Sequence, residues 1–162
     1  MIKISVCDDD EGQLTFFKQC FMEYNEKHKE KIEANFYQSV QSLLNEKKFS
    51  PDVYFLDIEL QDGNGLKLAG KIRTRNSKIP IVFITSHEEF MPEAFHVHAY
   101  QYLNEKKNAQ AVENVLNQLA DYFSEQNQIF SFQTYGEMIS LDCRDIICFT
   151  SEKRKNIVIA ES

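Results

Sequence analysis

The chain has 162 residues, 43% hydrophobic and 27% charged, which is the composition of one globular domain or of one domain with part of a second. Lysine and arginine number 18 against 25 acidic residues, and the net charge of −7 excludes nucleic-acid binding through bulk positive charge. No apolar run reaches the roughly 20 residues that span a bilayer, and the N-terminus lacks the apolar core of a secretory signal. We therefore expect a cytoplasmic protein without membrane insertion.

Apolar runs alternate with helical patterns over residues 1–124. Strands are predicted, in chain order, at Ile2–Cys7, Ile32–Tyr37, Val53–Leu56, Ile79–Ile84 and Tyr100–Leu103. Apolar residues at helical spacing predict five helices. They cover Leu14–Tyr24, Val40–Leu44, Leu66–Ile72, Phe90–Phe95 and Val112–Phe123. The alternating second strand is typical of a sheet edge, and the wholly apolar third strand is typical of a sheet centre. Five strands alternating with five helices indicate an α/β fold with a doubly wound, five-stranded parallel sheet.

The pattern changes after residue 124. Residues 125–128 are polar and are interpreted as a linker between a domain at 1–124 and a β-only segment at 129–162. Alternation over Ile129–Tyr135 and Met138–Leu141 predicts a hairpin that turns at Gly136-Glu137, and further strands are expected at Asp145–Phe149 and Asn156–Ala160. Because a few isolated strands are marginally stable, we interpret this segment as the start of an incomplete second domain.

Polar side chains follow the predicted strands at the points where the strands end. Asp8 and Asp9 follow the first strand, Asp57 the third and Thr85 the fourth. The carboxyl ends of parallel strands meet at one edge of a sheet, and carboxylates brought together there repel one another unless a cation joins them. Oxygen ligands of this kind suit Mg²⁺, and a carboxylate beside Mg²⁺ and a hydroxyl can accept a phosphoryl group. A structural interpretation stays open, because aspartates also end strands where they cap helices and form turns.

Three motifs together resemble the receiver domain of bacterial two-component response regulators. They are Val6-Cys7-Asp8-Asp9, Leu56-Asp57-Ile58 followed by Asp62-Gly63, and Phe83-Ile84-Thr85-Ser86. The resemblance covers residues 1–124 and implies the flavodoxin-like receiver fold. The run from Thr85 to Phe90 and the run Ala99–Leu103 are similar to receivers of the LytR/AgrA-like family, which carry LytTR-type DNA-binding domains. The segment 129–162 is similar to the opening strands of that DNA-binding domain, truncated here.

The resemblance implies a phosphoryl site with one role for each matching residue. Asp57 would be the phosphoacceptor. Asp9 and Asp57 would bind Mg²⁺ directly, together with the backbone carbonyl of Glu59, and Asp8 would act through metal-bound water. Thr85 would contact the phosphoryl group.

The resemblance also implies a signalling pathway. A sensor histidine kinase would donate the phosphoryl group, and the receiver would catalyse its own phosphorylation and dephosphorylation without being an enzyme in the usual sense. Tyr102 would be the aromatic switch that turns inward with the phosphoryl-site threonine. A homodimer would then act on DNA through the intact second domain of the parent protein, where Lys153, Arg154 and Lys155 are candidate phosphate contacts.

One position departs from the family pattern. The family places a lysine just after the fifth strand, where this chain has Glu105, and Lys106 follows one residue later. Either Lys106 reaches the site through a shifted loop, or the chain is a degenerate, phosphorylation-independent receiver that acts as a dimerisation and interaction module. A third hypothesis is a Mg²⁺-dependent phosphohydrolase on the same scaffold, with Glu59 as a second acid two residues after the nucleophile.

Overall fold

Strands and helices alternate up to residue 126, as the sequence predicts, except that a short two-stranded hairpin follows the third strand before the next helix begins. The structure is a computed structural model that describes residues 1–85, 88–103, 107–126, 129–134, 137–142, 146–152 and 155–160. The strands are β1 Ile2–Cys7, β2 Ile32–Tyr37, β3 Val53–Leu56, β4 Glu59–Leu60, β5 Gly63–Asn64, β6 Ile81–Ile84, β7 Gln101–Leu103, β8 Ile129–Thr134, β9 Glu137–Asp142, β10 Ile146–Glu152 and β11 Lys155–Ala160. The helices are α1 Glu11–Lys27, α2 Val40–Asn45, α3 Gly65–Arg75, α4 Met91–His96 and α5 Ala109–Gln126.

Five strands form one parallel sheet in the order β2-β1-β3-β6-β7. Cys7 at the end of β1 lies opposite Tyr37 and Leu56, which end β2 and β3. Leu56 in turn lies opposite Phe83, so the carboxyl ends of these strands are aligned at one edge. This arrangement confirms the predicted α/β, flavodoxin-like fold. It also confirms β2 as an edge strand.

Helices cover both faces of the sheet, which explains why β3 is apolar throughout. On one face, the Phe17 and Phe21 rings of α1 meet the Phe55 ring edge-on, with centroids 5.9 and 5.8 Å apart. On the other face, Leu56 joins a buried cluster that includes side chains of α2, α3 and α4. Phe55 and Leu56 are both fully buried. Alternate residues of the central strand thus serve two separate cores.

Two strand starts differ from the prediction by one or two residues. Strand β6 begins at Ile81, after Ile79 and Pro80. Proline has no N–H to donate, and the Pro80 carbonyl accepts from the Tyr54 N–H at 3.1 Å. Strand β7 begins at Gln101, although the Tyr100 N–H still donates to the Ile81 carbonyl at 2.8 Å.

The C-terminal part forms two hairpins. The chain divides into two compact units, Met1–Leu116 and Asn117–Ser162, and α5 continues through Gln126 into the segment interpreted as a linker. Strands β8 and β9 pair antiparallel, as do β10 and β11. The first hairpin was predicted, but Glu137 lies in β9 opposite Thr134 and not in the turn. Tyr135, Gly136 and Asp145 lie outside the described residues. The domain boundaries at 124 and 129 stay predictions.

Helix α3 begins in direct contact with the backbone that follows β3. The Gly65 N–H donates to the Ile58 carbonyl at 2.8 Å. A Cβ atom at Gly65 would lie 2.0 Å from the Asp57 carbonyl oxygen, well inside any tolerated contact. Only glycine lets the helix start this close to the strand end. Gly65 therefore helps to fix the position of Asp57.

We expect Gly65→Ala to lower the free energy of unfolding by about 1–3 kcal/mol or more, because the added carbon must displace backbone. Gly70→Ala in the same helix is the matched control, since a Cβ there meets nothing within 4 Å. Removing a glycine from a helix interior should stabilise the protein by about 0.5–1 kcal/mol. Urea denaturation followed by circular dichroism measures both values. Equal effects of the two substitutions would contradict the close-contact argument.

Asp62, in the loop after β3, forms hydrogen bonds with the start of α2. Its Oδ1 and Oδ2 accept from the Val40 and Gln41 N–H groups at 2.9 and 3.0 Å. The Ser39 hydroxyl accepts from the Ser42 N–H at 3.0 Å, so three of the free N–H groups of the helix are satisfied. The hydrogen bonds from Gln41 and Val40 hold the pKa of the Asp62 carboxyl below its usual value.

A lowered carboxyl pKa stabilises the fold above the unfolded-state value of about 3.9, and this contribution disappears as the pH falls through the lower folded-state pKa. We therefore expect Asp62→Asn to be less stable than the wild type at neutral pH, with a gap that narrows below about pH 4. Melting temperatures of both proteins between pH 7 and pH 3 test this. A gap that stays constant across that range would show that the charge of Asp62 contributes nothing.

Candidate functional site

The polar residues predicted to form a site meet at the carboxyl edge of the sheet. Asp8, Asp57 and Thr85 directly follow β1, β3 and β6, which are neighbours in the sheet. Strand β2 lies on one side of β1, and β3 lies on the other side, so the strand order reverses between β1 and β3. Asp8 and Asp57, which follow these two strands, flank that point. Ligands of open α/β sheets bind at such points. Asp8, Asp57 and Thr85 are at most 2% exposed, so their polar groups are held inside the protein.

Three carboxylates converge at this edge. One oxygen from each of Asp8, Asp9 and Asp57 lies within 4.8 Å of the other two. Octahedral Mg²⁺ holds its oxygens at about 2.1 Å, which places ligand atoms about 3–4 Å from one another. Two unit charges 4.8 Å apart repel by about 3 kcal/mol at an effective dielectric constant near 20, and a cation between them offsets that repulsion. The donor chemistry and the spacing thus fit a hard divalent cation.

Backbone N–H groups orient each of these carboxylates. Asp8 Oδ1 accepts from the Asp10 N–H at 2.9 Å, and Asp57 Oδ1 accepts from the Ile58 N–H at 2.8 Å. Asp9 is half-buried, and its Oδ2 accepts from the Gln61 N–H at 3.0 Å. The last bond joins the loop after β1 to the loop after β3. The geometry of the acidic cluster therefore depends on both loops.

The third aspartate after β1 caps a helix and is not part of the acidic cluster. Asp10 caps α1, with its Oδ1 accepting from the Gly12 and Gln13 N–H groups at 2.7 and 3.2 Å. It is exposed and does not belong to the carboxylate cluster among the described residues. The structural interpretation of strand-end aspartates is confirmed for Asp10, whereas Asp8 and Asp9 lie in the carboxylate cluster and their functional role stays a prediction.

The charge of the cluster acts on the neighbouring thiol. Burial raises the pKa of Cys7 to about 12, and the negative charges of Asp62, Asp8, Asp57 and Asp9 act in the same direction. The Cys7 thiol therefore stays protonated at neutral pH and is no nucleophile. It packs as a buried apolar residue beside the site.

Thr85 and Tyr102 lie on the neighbouring strands β6 and β7. The Thr85 N–H donates to the Leu103 carbonyl at 3.0 Å, which extends the pairing of these strands. Tyr102 is half-buried and packs against the core cluster of the α3 side. Glu59 is exposed in β4, three residues after the last residue of β3. The structure thus places these residues near the predicted edge or on the adjoining strand.

Glu105, Lys106, Lys153 and Arg154 lie outside the described residues, and Lys155 is described only as the first residue of β11. Their suggested roles stay predictions.

Sequence reasoning missed contributors that act through the backbone or by being small. The Gln61 N–H orients Asp9, but because this donor is a backbone group, the side chain of Gln61 does not predict the contact. Gly65 lies one residue before the predicted helix of Leu66–Ile72, and in the structure it follows the Asn64 helix cap and contacts the Asp57 backbone. Gln13 is fully buried in α1, one residue before the helical pattern predicted from Leu14.

The comparisons with known sequences agree on one family. Residues 4–117, more than two thirds of the chain, match the family described as the response regulator receiver domain. The sensory transduction protein LytR of Staphylococcus haemolyticus is 32% identical over 111 residues, covering 68% of this chain and 42% of that protein. A response regulatory protein of Yersinia pestis is 29% identical over 120 residues, covering 74% and 49%. The chain spans about half the length of the curated relatives that it matches.

Solved structures show the same fold. The response regulatory domain of mrkE from Klebsiella pneumoniae aligns with a TM-score of 0.65 at 25% identity, covering 77% of this chain and all of that one. A CheY-like receiver from Methanospirillum hungatei gives 0.67 at 18% identity, covering 78% and 99%. A Thermotoga maritima response regulator in complex with Mg²⁺ and BeF gives 0.63 at 22% identity, covering 74% and 99%. With the sequence match, the sheet order and the acidic edge, these findings place the chain in the response regulator receiver family, the signalling domain of two-component systems.

Proposed function

We propose that this receiver accepts a phosphoryl group on Asp57 from a sensor histidine kinase, with Mg²⁺, and thereby controls dimerisation and transcription. The observation that carries the proposal is the buried Asp57 carboxylate, with Asp8 and Asp9 oxygens within 4.8 Å, at the point where the strand order reverses. A carboxylate here can serve as nucleophile while the others hold a cation.

The proposed metal ligands are the carboxylates of Asp9 and Asp57 and the backbone carbonyl of Glu59, with Asp8 acting through water. Three carboxylates at Mg²⁺-compatible spacing support this assignment. The Mg²⁺ and BeF complex of the Thermotoga maritima neighbour adds support from the same fold. Bound Mg²⁺ would offset the charge of the carboxylates and of the phosphoryl oxygens.

In the proposed step, an Asp57 carboxylate oxygen attacks the phosphorus of a phosphohistidine. A new O–P bond forms, and the P–N bond breaks with its electron pair left on the imidazole nitrogen. The Thr85 hydroxyl donates a hydrogen bond to a phosphoryl oxygen. Attack of water on the acyl phosphate later returns the carboxylate and releases inorganic phosphate. The degenerate alternative suggested by Glu105 is not favoured, because the acidic cluster and the buried threonine are both in place.

The proposed output is a two-state switch on the β6–β7 side of the sheet. Phosphorylation would draw Thr85 and Tyr102 inward and favour one arrangement of α4 over the other. Helix α4 exposes Met91 and Phe95, at 46% and 79%, and apolar side chains of this kind suit a homodimer contact.

Residues 129–162 are proposed to form the start of a LytTR-type DNA-binding domain. Two antiparallel hairpins and the LytR relatives support this assignment. Lys153, Arg154 and Lys155 would contact phosphates of DNA in the intact parent protein. No helix in the described parts of the chain is long and apolar enough to cross a membrane. The cytoplasmic location stays a prediction.

Mg²⁺ should stabilise the wild type, because a ligand that binds only the folded state adds about 1.4 kcal/mol at ten times its dissociation constant. Asp9→Asn and Asp57→Asn should lose most of this gain. Asp10→Asn is the matched control, since asparagine caps a helix as well as aspartate and Asp10 lies outside the cluster. Thermal unfolding with and without Mg²⁺ measures the gain. An equal gain in all four proteins would contradict the ligand assignment.

Incubation with acetyl phosphate and Mg²⁺ should add one phosphoryl group to the wild type and to Asp10→Asn. Asp57→Asn should take up none, because the nucleophilic oxygen is absent. Intact mass spectrometry measures the adduct. An adduct that persists in Asp57→Asn would contradict the acceptor assignment. No adduct on a wild type that still responds to Mg²⁺ would contradict the acceptor assignment and favour the phosphorylation-independent alternative.

A further inference from the structure

A groove of about 550 Å³ lies at the end of β3 opposite to the acidic edge. Tyr54 near the start of the strand lines it, whereas Asp57 follows the end of the strand, about 10 Å away along the backbone. The C-terminal part of α2, the last turns of α3 and the segment before β6 complete its walls. The proposed phosphoryl chemistry uses none of these residues.

The floor of the groove is apolar and its size suits a small molecule. Leu43, Ile72 and Ile79 are 7–9% exposed and line the groove together with the half-buried Tyr54. Small-molecule sites are typically clefts of about 300–1,000 Å³, and this groove falls within that range. Polar or charged residues make up the other half of its lining, at Glu46, Ser50, Lys71, Thr74, Arg75 and Asn76. The Tyr54 ring offers a flat partner for stacking.

The rim of the groove carries two cations. Lys71 and Arg75 lie four residues apart on α3, on the same face of the helix, and both are exposed. Neither side chain forms an ion pair or hydrogen bond with any other residue in the described part of the chain. Glu46 also lines the groove, and its Oε1 accepts from the Lys48 N–H at 2.6 Å. That bond leaves the negative charge of Glu46 in place, so Lys71, Arg75 and Glu46 together give the lining one net positive charge.

The charge of Arg75 reaches the floor of the groove. Burial raises the pKa of the Tyr54 phenol, with Tyr37 acting in the same direction, and Arg75 acts against them. Unengaged cations beside an apolar floor are notable in a chain of net charge −7. The combination is complementary to a molecule with a flat apolar body and a negative end.

We propose that this groove binds a small aromatic carboxylate or sulfonate. The rings would lie against Leu43, Tyr54 and Ile72, and the anionic group would sit between Lys71 and Arg75. A guanidinium binds such an oxyanion through paired hydrogen bonds. The site is separate from the phosphoryl site and does not depend on the function proposed for it.

The test uses 8-anilinonaphthalene-1-sulfonate as the probe, with neutral N-phenyl-1-naphthylamine as its uncharged analogue. Fluorescence titration of the wild type should give one site per chain. The Lys71→Gln/Arg75→Gln double variant should bind the sulfonate at least about tenfold more weakly, since two charge-assisted contacts are lost. The neutral analogue should bind both proteins equally. Lys67 is also exposed on α3 but lies outside the groove, so Lys67→Gln is the control for loss of one positive charge. This variant should bind the sulfonate like the wild type.

Amide chemical shifts should locate the probe, with changes at Leu43, Tyr54 and Ile79. Circular dichroism would verify that the substitutions at exposed positions leave the fold intact. Asp57→Asn should bind the sulfonate unchanged, so failure of the phosphoryl proposal leaves this one standing. The proposal is overturned if the double variant binds as tightly as Lys67→Gln, if no saturable site exists, or if the shift changes lie outside the groove.

Discussion

Asp8 and Asp57 place two carboxylates side by side in the interior, at the ends of neighbouring strands. Charged groups of one sign are costly there, so the surroundings must supply positive potential. A parallel sheet does so by its connectivity, because each helix begins at the edge where the preceding strand ends. Asp10 and Asn64 cap α1 and α3 at that edge, and Asp62 holds the start of α2. The positive ends of the helix dipoles are thereby gathered around the acidic cluster.

Helix α3 links the acidic edge to the rest of its face of the sheet. It starts at Gly65 against the Asp57 backbone, and its 11 residues extend about 16 Å to the other end. Near that end Arg73 donates from Nε to the Val97 carbonyl at 2.9 Å and from Nη2 to the His98 carbonyl at 2.8 Å. A third bond goes from Nη1 to the Ile79 carbonyl. One rigid element thus joins the site backbone to the end of α4 and to the residues before β6.

The spacing of the apolar residues and the polar residues that follow each strand were enough to predict the sheet, its central strand and the proximity of Asp8 and Asp57. These features depend on local sequence, because a parallel topology converts strand ends into a shared edge. The contributions of Gly65, Gln61 and Arg73 could not be predicted in the same way. Each depends on a distance to another segment of the chain, and in all three contacts at least one of the two residues takes part through its backbone alone. The side-chain identity carries little information about such contacts.

The acidic edge and the cationic groove use opposite ends of one strand, and this separation has an electrostatic consequence. The roughly 10 Å between Tyr54 and Asp57 along β3 is close to the Debye length of about 8 Å at physiological ionic strength. Salt screens the exposed Lys71 and Arg75 and an anion bound to them, but it screens the buried carboxylates much less. An anion in the groove can therefore act on the carboxylates by direct charge and also through packing, and α3 is the element that contacts both sites. Raising the salt concentration should thus weaken direct effects of charge and leave an effect transmitted by α3 unchanged.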